Sequence, residues 1–150
     1  MSGKVMNLAE TREFIEQARW GRLATTGPDG PYITPLHFVL RHDKIYFHCA
    51  PRGRKLDNIS HETRVCFEVS EMEGIIEHVQ PCKYTTRYRS ALVFGRAGLV
   101  TGKEEKVLAL NLIASKYCKD GRCGPVTPEK ADSVAVIALN IESISGKAGG

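Results

Sequence analysis

A chain of 150 residues is long enough to bury a real core, and residues 1–150 read as a single domain with no linker, repeat or low-complexity tract. Hydrophobic residues at 42% and charged residues at 25% exclude a disordered tail. A net charge of +4 is too mild for a nucleic-acid surface, and no apolar run approaches the roughly 20 residues that cross a bilayer.

From the N-terminus, Ala9 to Ala18 places Phe14, Ile15 and Ala18 on one face of a short amphipathic helix, with Asn7 as its N-cap. Gly21 breaks the pattern and Arg22 to Thr26 reads as a strand. Pro28-Asp29-Gly30 has turn chemistry, and the chain returns as a strand over Tyr32 to Leu40. His42-Asp43-Lys44 turns it into a third strand, Ile45 to Cys49. Such short connections join antiparallel neighbours, because parallel ones need a crossover of about a dozen residues.

A loop at Ala50-Pro51-Arg52-Gly53 leads to a short helix over Arg54 to His61. Strands follow at Arg64 to Ser70, Ile75 to Gln80 and Tyr88 to Val100, with Gly95 and Gly98 marking a bulge or bend. Thr101 and Glu104 have capping-box spacing for a helix over residues 102–117. In the last strand both alternating sets, Val134, Val136, Ala138 and Ala135, Ile137, Leu139, are apolar, so it should be central or covered. The expected fold is mainly β: a six- or seven-stranded antiparallel split β-barrel with peripheral helices.

Cys49, Cys66, Cys82, Cys118 and Cys123 form an odd, sparse set, read as free thiols in a reducing compartment. With no apolar signal segment in the opening residues, the expected location is cytoplasmic. The Cys118 to Cys123 spacing matches no common zinc site, so no metal is expected.

The densest chemical signal runs from Tyr46 to Lys55. A strand ends, the chain turns through Pro51 and Gly53, and a helix starts with Arg54 and Lys55. Cations in a first turn are electrostatically disfavoured unless an anion answers them, and free N–H groups there attract phosphate. A solvated basic turn is the plainer alternative. The absence of a Gly-x-Gly-x-x-Gly fingerprint and of a P-loop argues against a dinucleotide fold or an ATPase.

Gly21 to Thr25, Asp29 to Phe38, Ile45 to Ala50, Gly53 to Lys55, Tyr88 to Ala97 and Ile144 to Lys147 together resemble the pyridoxamine-5′-phosphate-oxidase-like superfamily, in its nitroimidazole-resistance (NimA-like) branch. The resemblance covers nearly the whole chain in order. It implies a homodimer with FMN in clefts at the interface. Thr34, Pro35, Leu36 and His37 would border the flavin ring, while His48, Cys49, Ala50, Gly53, Arg54 and Lys55 hold the phosphate. Arg89 and Ser90 would approach from a neighbouring strand. The superfamily's vitamin-processing oxidases carry a C-terminal Trp and Arg. Here the only Trp is Trp20 and the last residues are Lys147-Ala148-Gly149-Gly150, which argues against that particular activity.

The expected function is therefore an FMN-dependent oxidoreductase that reduces nitroimidazoles or related small planar compounds, with NADH or NADPH as electron donor. His48 and His37 are the candidate catalytic residues, because imidazole exchanges protons near neutral pH. A low-turnover flavin carrier, and a haem protein with His48 as axial ligand, are the alternatives.

Overall fold

The computed structural model describes residues 3–150. Strand β1 (Lys4–Met6) precedes helix α1 (Leu8–Gln17). Strands β2 (Gly21–Gly27), β3 (Gly30–Leu36), β4 (Phe38–Arg41) and β5 (Lys44–Cys49) lead to helix α2 (Arg54–His61). Two long strands, β6 (Arg64–Ile76) and β7 (Thr85–Leu99), are followed by helices α3 (Lys103–Tyr117) and α4 (Pro128–Ala131), and β8 (Ala135–Gly149) ends the chain. Asn7 caps α1 as expected, in a capping box completed by the Glu10 side chain. The box expected at Thr101 and Glu104 does not form: Gly102 is the N-cap of α3 and makes no side-chain bond there.

The expected six- or seven-stranded split β-barrel is not what the chain builds. Eight strands pair antiparallel in one sheet of order β3-β2-β6-β7-β8-β5-β4, with β1 added beside β8, and the sheet is not closed. The reason lies at His37. The single strand expected over Tyr32 to Leu40 is broken there into β3 and β4, which sit at opposite ends of the pairing order. One residue is fewer than the two that the tightest hairpin needs, so β3 and β4 cannot fold back on each other. The chain steps from one sheet edge to the other instead. A second departure concerns β6, which runs unbroken through Glu71 to Gly74 by shifting register between Met72 and Gly74. The bulge expected at Gly95 is present, as a register shift between Phe94 and Gly95.

Two cores result. The larger lies on one side of the sheet, where Phe38, Phe47, Phe67, Leu23, Ile45 and Val93 meet Phe14 and Ile15 of α1 and Ile59 of α2. The smaller lies between the other face of β5 and β8, through Tyr46, Val136 and Ala138, and Ala109, Leu110 and Ile113 of α3. Strand β8, between β7 and β5, is thus covered on both faces, as its doubly apolar pattern requires. Cys66 is half-buried, beside exposed Phe94 on the neighbouring strand.

Candidate functional site: an imidazole pocket and a basic helix start

Side chains alternate along β5, and this alternation sorts its residues by role. Ile45, Phe47 and Cys49 enter the larger core, whereas Tyr46 packs in the smaller one under α3. His48 shares the Tyr46 side and opens into a pocket of about 400 Å³. The pocket's helical wall is Leu110, Ile113, Ala114 and Tyr117, spaced i, i+3, i+4, i+7 along α3. Its remaining lining is His37, Cys118, Cys123 and Val126.

Helix α3 is tied down at both ends. Near its start, Lys44 Nζ and Tyr46 Oη each donate to Glu105 Oε1 at 2.8 Å, and these bonds hold the Glu105 carboxyl below its usual range. At its end, Tyr117 Oη accepts the Phe38 N–H at 3.1 Å and shares its own hydrogen between the carbonyls of Phe38 and Arg19, each also at 3.1 Å. The Tyr117 ring therefore sits against the β3–β4 break. His37 lies against it, tilted by 37°, with centroids 4.4 Å apart, Trp20 meets His37 edge-on at 5.2 Å, and His48 lies 6.3 Å from His37.

His48 Nδ1 is buried and makes no hydrogen bond within the described residues. Burial, and then the neighbouring His37, lower the His48 pKa below the ordinary 6.5. The imidazole is consequently neutral at pH 7, a neutral donor or acceptor rather than an imidazolium. The linkage has a definite sign. With a folded pKa below the unfolded one, the unfolded chain binds more protons, so this contribution is intact above about pH 6.5 and is lost as pH falls below it. His48→Asn is expected to flatten the fall in denaturation midpoint between about pH 6.5 and 5, which urea titrations at several pH values would measure.

The basic segment lies one loop further on. Gly53 adopts φ 136°, a conformation that favours glycine, and its carbonyl accepts the N–H groups of Leu56 at 2.9 Å and Asp57 at 3.2 Å. Helix α2 is held on β2 by buried Asn58, whose Nδ2 donates to Thr25 Oγ1 at 3.1 Å; a Cβ at Gly27 would strike the Asn58 carboxamide. The Arg54 guanidinium lies 4.7 Å over the Tyr32 ring and donates to the Asp29 carbonyl at 3.3 Å. Half-buried Lys55 is near enough to Cys49 to oppose the rise that burial imposes on that thiol's pKa.

The predicted residues therefore fall into separate groups. His37 and His48 line one pocket, and Gly53, Arg54 and Lys55 form the start of α2. Thr34 is half-buried on β3, with an Oγ1 that has no partner. Pro35 and Ala50 are exposed, Leu36 packs against the larger core, and Cys49 belongs to it. Arg89 and half-buried Ser90 lie on β7, away from both groups. Arg89 is paired with Glu71 at 2.7 Å and Glu73 at 3.0 Å, over the Phe14 ring, and the grooves it lines contain neither His48 nor Lys55. The expectation of free thiols throughout is corrected as well, because Cys118 and Cys123 are joined in a disulfide. Their place at a helix end and in the following loop brings them together, which spacing alone did not reveal. Tyr117 was also missed; its signal was a polar aromatic completing the aliphatic stripe of α3.

The sequence profile of the pyridoxamine 5′-phosphate oxidase family matches residues 7–148. The chain belongs to this family. A candidate 5-nitroimidazole antibiotic resistance protein from Bacteroides thetaiotaomicron has a similar structure, with 27% identity and a TM-score of 0.82 over 97% of this chain and 87% of that one. The flavocytochrome Anf3 from Azotobacter vinelandii shares the fold at 21% identity and a TM-score of 0.84, over 96% of this chain and 68% of that one. So does an FAD- and haem-binding protein from Mycobacterium smegmatis, at 17% identity and 0.84, over 95% and 71%. No curated protein matches the sequence. Among the described residues, no helix is long and apolar enough to cross a membrane.

Proposed function

We propose that this pyridoxamine 5′-phosphate oxidase family member binds FMN and reduces small planar compounds of the nitroimidazole type. The observation that carries the reading is one short segment. Within eight residues the chain passes from His48, in an apolar pocket, to Arg54 and Lys55 at a helix start. The chemistry of the residues fits a flavin phosphate and ring: two cations at a helix N-terminus, and two buried, unpartnered polar atoms, Thr34 Oγ1 and His48 Nδ1. The 5-nitroimidazole assignment of the Bacteroides protein supports the substrate class.

In this reading Arg54 and Lys55 hold the phosphate, Thr34 offers its hydroxyl to a polar ring edge, and His37 with Tyr117 provides an aromatic wall. When bound, the flavin supplies hydride or single-electron transfer, with NADH or NADPH as donor through the same open pocket. His48 donates an N–H to negative charge that develops on a nitro oxygen, and surrounding Leu110, Ile113 and Val126 exclude water.

Arg54→Ala and Lys55→Ala are each expected to weaken FMN binding by about 10- to 100-fold, the worth of one charge-assisted hydrogen bond of about 1.5–3 kcal/mol, with little effect on riboflavin. Fluorescence titration of both ligands measures this, and an equal loss for the two would move these residues away from the phosphate. Anaerobic bleaching by NADH or NADPH, then reoxidation by a nitroimidazole, separates an enzyme from a flavin carrier. A haem protein is the second reading, favoured by an unpartnered imidazole nitrogen in an apolar pocket. A Soret band in the purified protein would establish it in place of flavin absorption.

We further infer a homodimer. The cross-strand row Ile33, Ala24, Cys66, Phe94 exposes Ile33 and Phe94 on one sheet face, with Leu92 on the same side, an apolar surface suited to a second copy. Ser90, on the same face of β7 as Leu92 and Phe94, would then approach the partner's flavin, whereas Arg89 faces Phe14 on the other side. Sedimentation at micromolar concentration should give the dimer mass; a monomer with full flavin occupancy would overturn this.

A further inference from the structure

The Cys118–Cys123 disulfide belongs to no reaction described above, yet it forms part of the wall of the pocket that holds His37 and His48. Cys118 is the C-cap of α3, and the chain then folds back past its own helix. Three links hold it there: the disulfide, the Cys123 N–H to Cys118 Sγ at 3.0 Å, and the Val126 N–H to Asn111 Oδ1 at 3.0 Å. Between Cys118 and Val126 every residue is exposed, so the strap buries no side chain of its own to hold it down. Gly121, at φ 62°, makes the reversal and leaves the segment conformationally free. A crosslink over so short a separation constrains the unfolded chain little, so its consequence is local.

We propose that this disulfide is a reducible latch: oxidised, it holds the strap across the pocket, and a dithiol reductant opens it. A thiolate of the reductant attacks Cys123 Sγ, the exposed sulfur, and the bond to Cys118 Sγ breaks. The electron pair leaves on Cys118 Sγ, where the Cys123 N–H already points and stabilises developing thiolate. The reductant's second thiol then displaces Cys123, and the two protein sulfurs end as thiols. Two electrons and two protons pass to the protein, and the reductant becomes a cyclic disulfide. With the disulfide gone, no covalent cross-link ties the strap to α3, and what remains is the Cys123 N–H contact to Cys118 Sγ and the Val126 bond to Asn111. Control of turnover rests on the reading of this pocket as the substrate side, whereas opening of the strap does not.

The natural reporter is Trp20, the sole tryptophan, which touches His37, which in turn packs against Tyr117 beside Cys118. The test uses the full flavin-free chain, air-oxidised and then treated with dithiothreitol. Alkylation under denaturing conditions should count three thiols before treatment (Cys49, Cys66 and Cys82) and two more after it. Amide exchange over residues 118–126 should accelerate about tenfold or more on reduction, acylation of His48 by diethyl pyrocarbonate should rise severalfold, and Trp20 emission should shift. The double variant Cys118→Ser with Cys123→Ser should show the fast values with or without dithiothreitol. Five thiols before treatment would overturn the latch, as would unchanged His48 acylation after verified reduction. If strap and His48 respond but the flavin-loaded protein reduces a nitroimidazole at the same rate in both states, the latch stands and the substrate-side reading falls.

Discussion

Phe67→Ala is expected to lower the unfolding free energy by about 3–5 kcal/mol, the range for deleting a fully buried aromatic ring. Phe67 has no exposed surface and sits edge-on to Phe38 at 4.8 Å and Phe47 at 5.1 Å, so its loss strips contacts from two other buried rings. Those rings come from β4, β5 and β6, and the first two lie at the opposite end of the pairing order from β2. The Phe67 ring also fills the space beside Gly21, where a Cβ on the glycine would collide with it. Collapse around the cavity is resisted because the neighbouring β2 and β6 backbones are held in register by their ladder. Urea denaturation of wild type and variant measures the effect, and a change below about 1 kcal/mol would mean that the three-ring cluster does not hold the sheet edges together.

His48→Gln is expected to slow reoxidation of the reduced flavoprotein by a nitroimidazole about 10²–10³-fold, by comparison with the loss of one preorganised oxyanion donor. FMN occupancy and reduction by nicotinamide should stay nearly unchanged, because Arg54 and Lys55 stand in a different element from the imidazole. The donor here is a neutral imidazole. Burial and His37 depress its pKa, so under the proposed mechanism the donor would be an uncharged N–H and the rate should remain level as pH rises through 7. Stopped-flow measurement of the two half-reactions decides the point. Equal oxidative rates in wild type and variant would remove His48 from the mechanism and leave the pocket as a passive wall.

Local chemistry alone determined much of this molecule. Asn7 and Glu10 specified the start of α1, and the doubly apolar run from Val134 to Leu139 required a covered strand, which β8 is. The turn at Gly53 followed by Arg54 and Lys55 was readable as an anion site or as a solvated basic turn, and the structure puts both cations in the first turn of α2. Alternation along β5 separated His48 from Phe47 and Cys49, but only α3 packing over that face made it a pocket wall. Closure of the sheet was beyond local reading. Strand propensity runs unbroken from Tyr32 to Leu40, yet the strand is interrupted at His37, with β3 paired to β2 and β4 to β5. Long-range packing decided two further features as well. Tyr117 reaches the backbone of Phe38, 79 residues earlier, and Arg89 is paired within its own sheet by Glu71 and Glu73. Each depends on contacts between elements, which sequence periodicity does not encode.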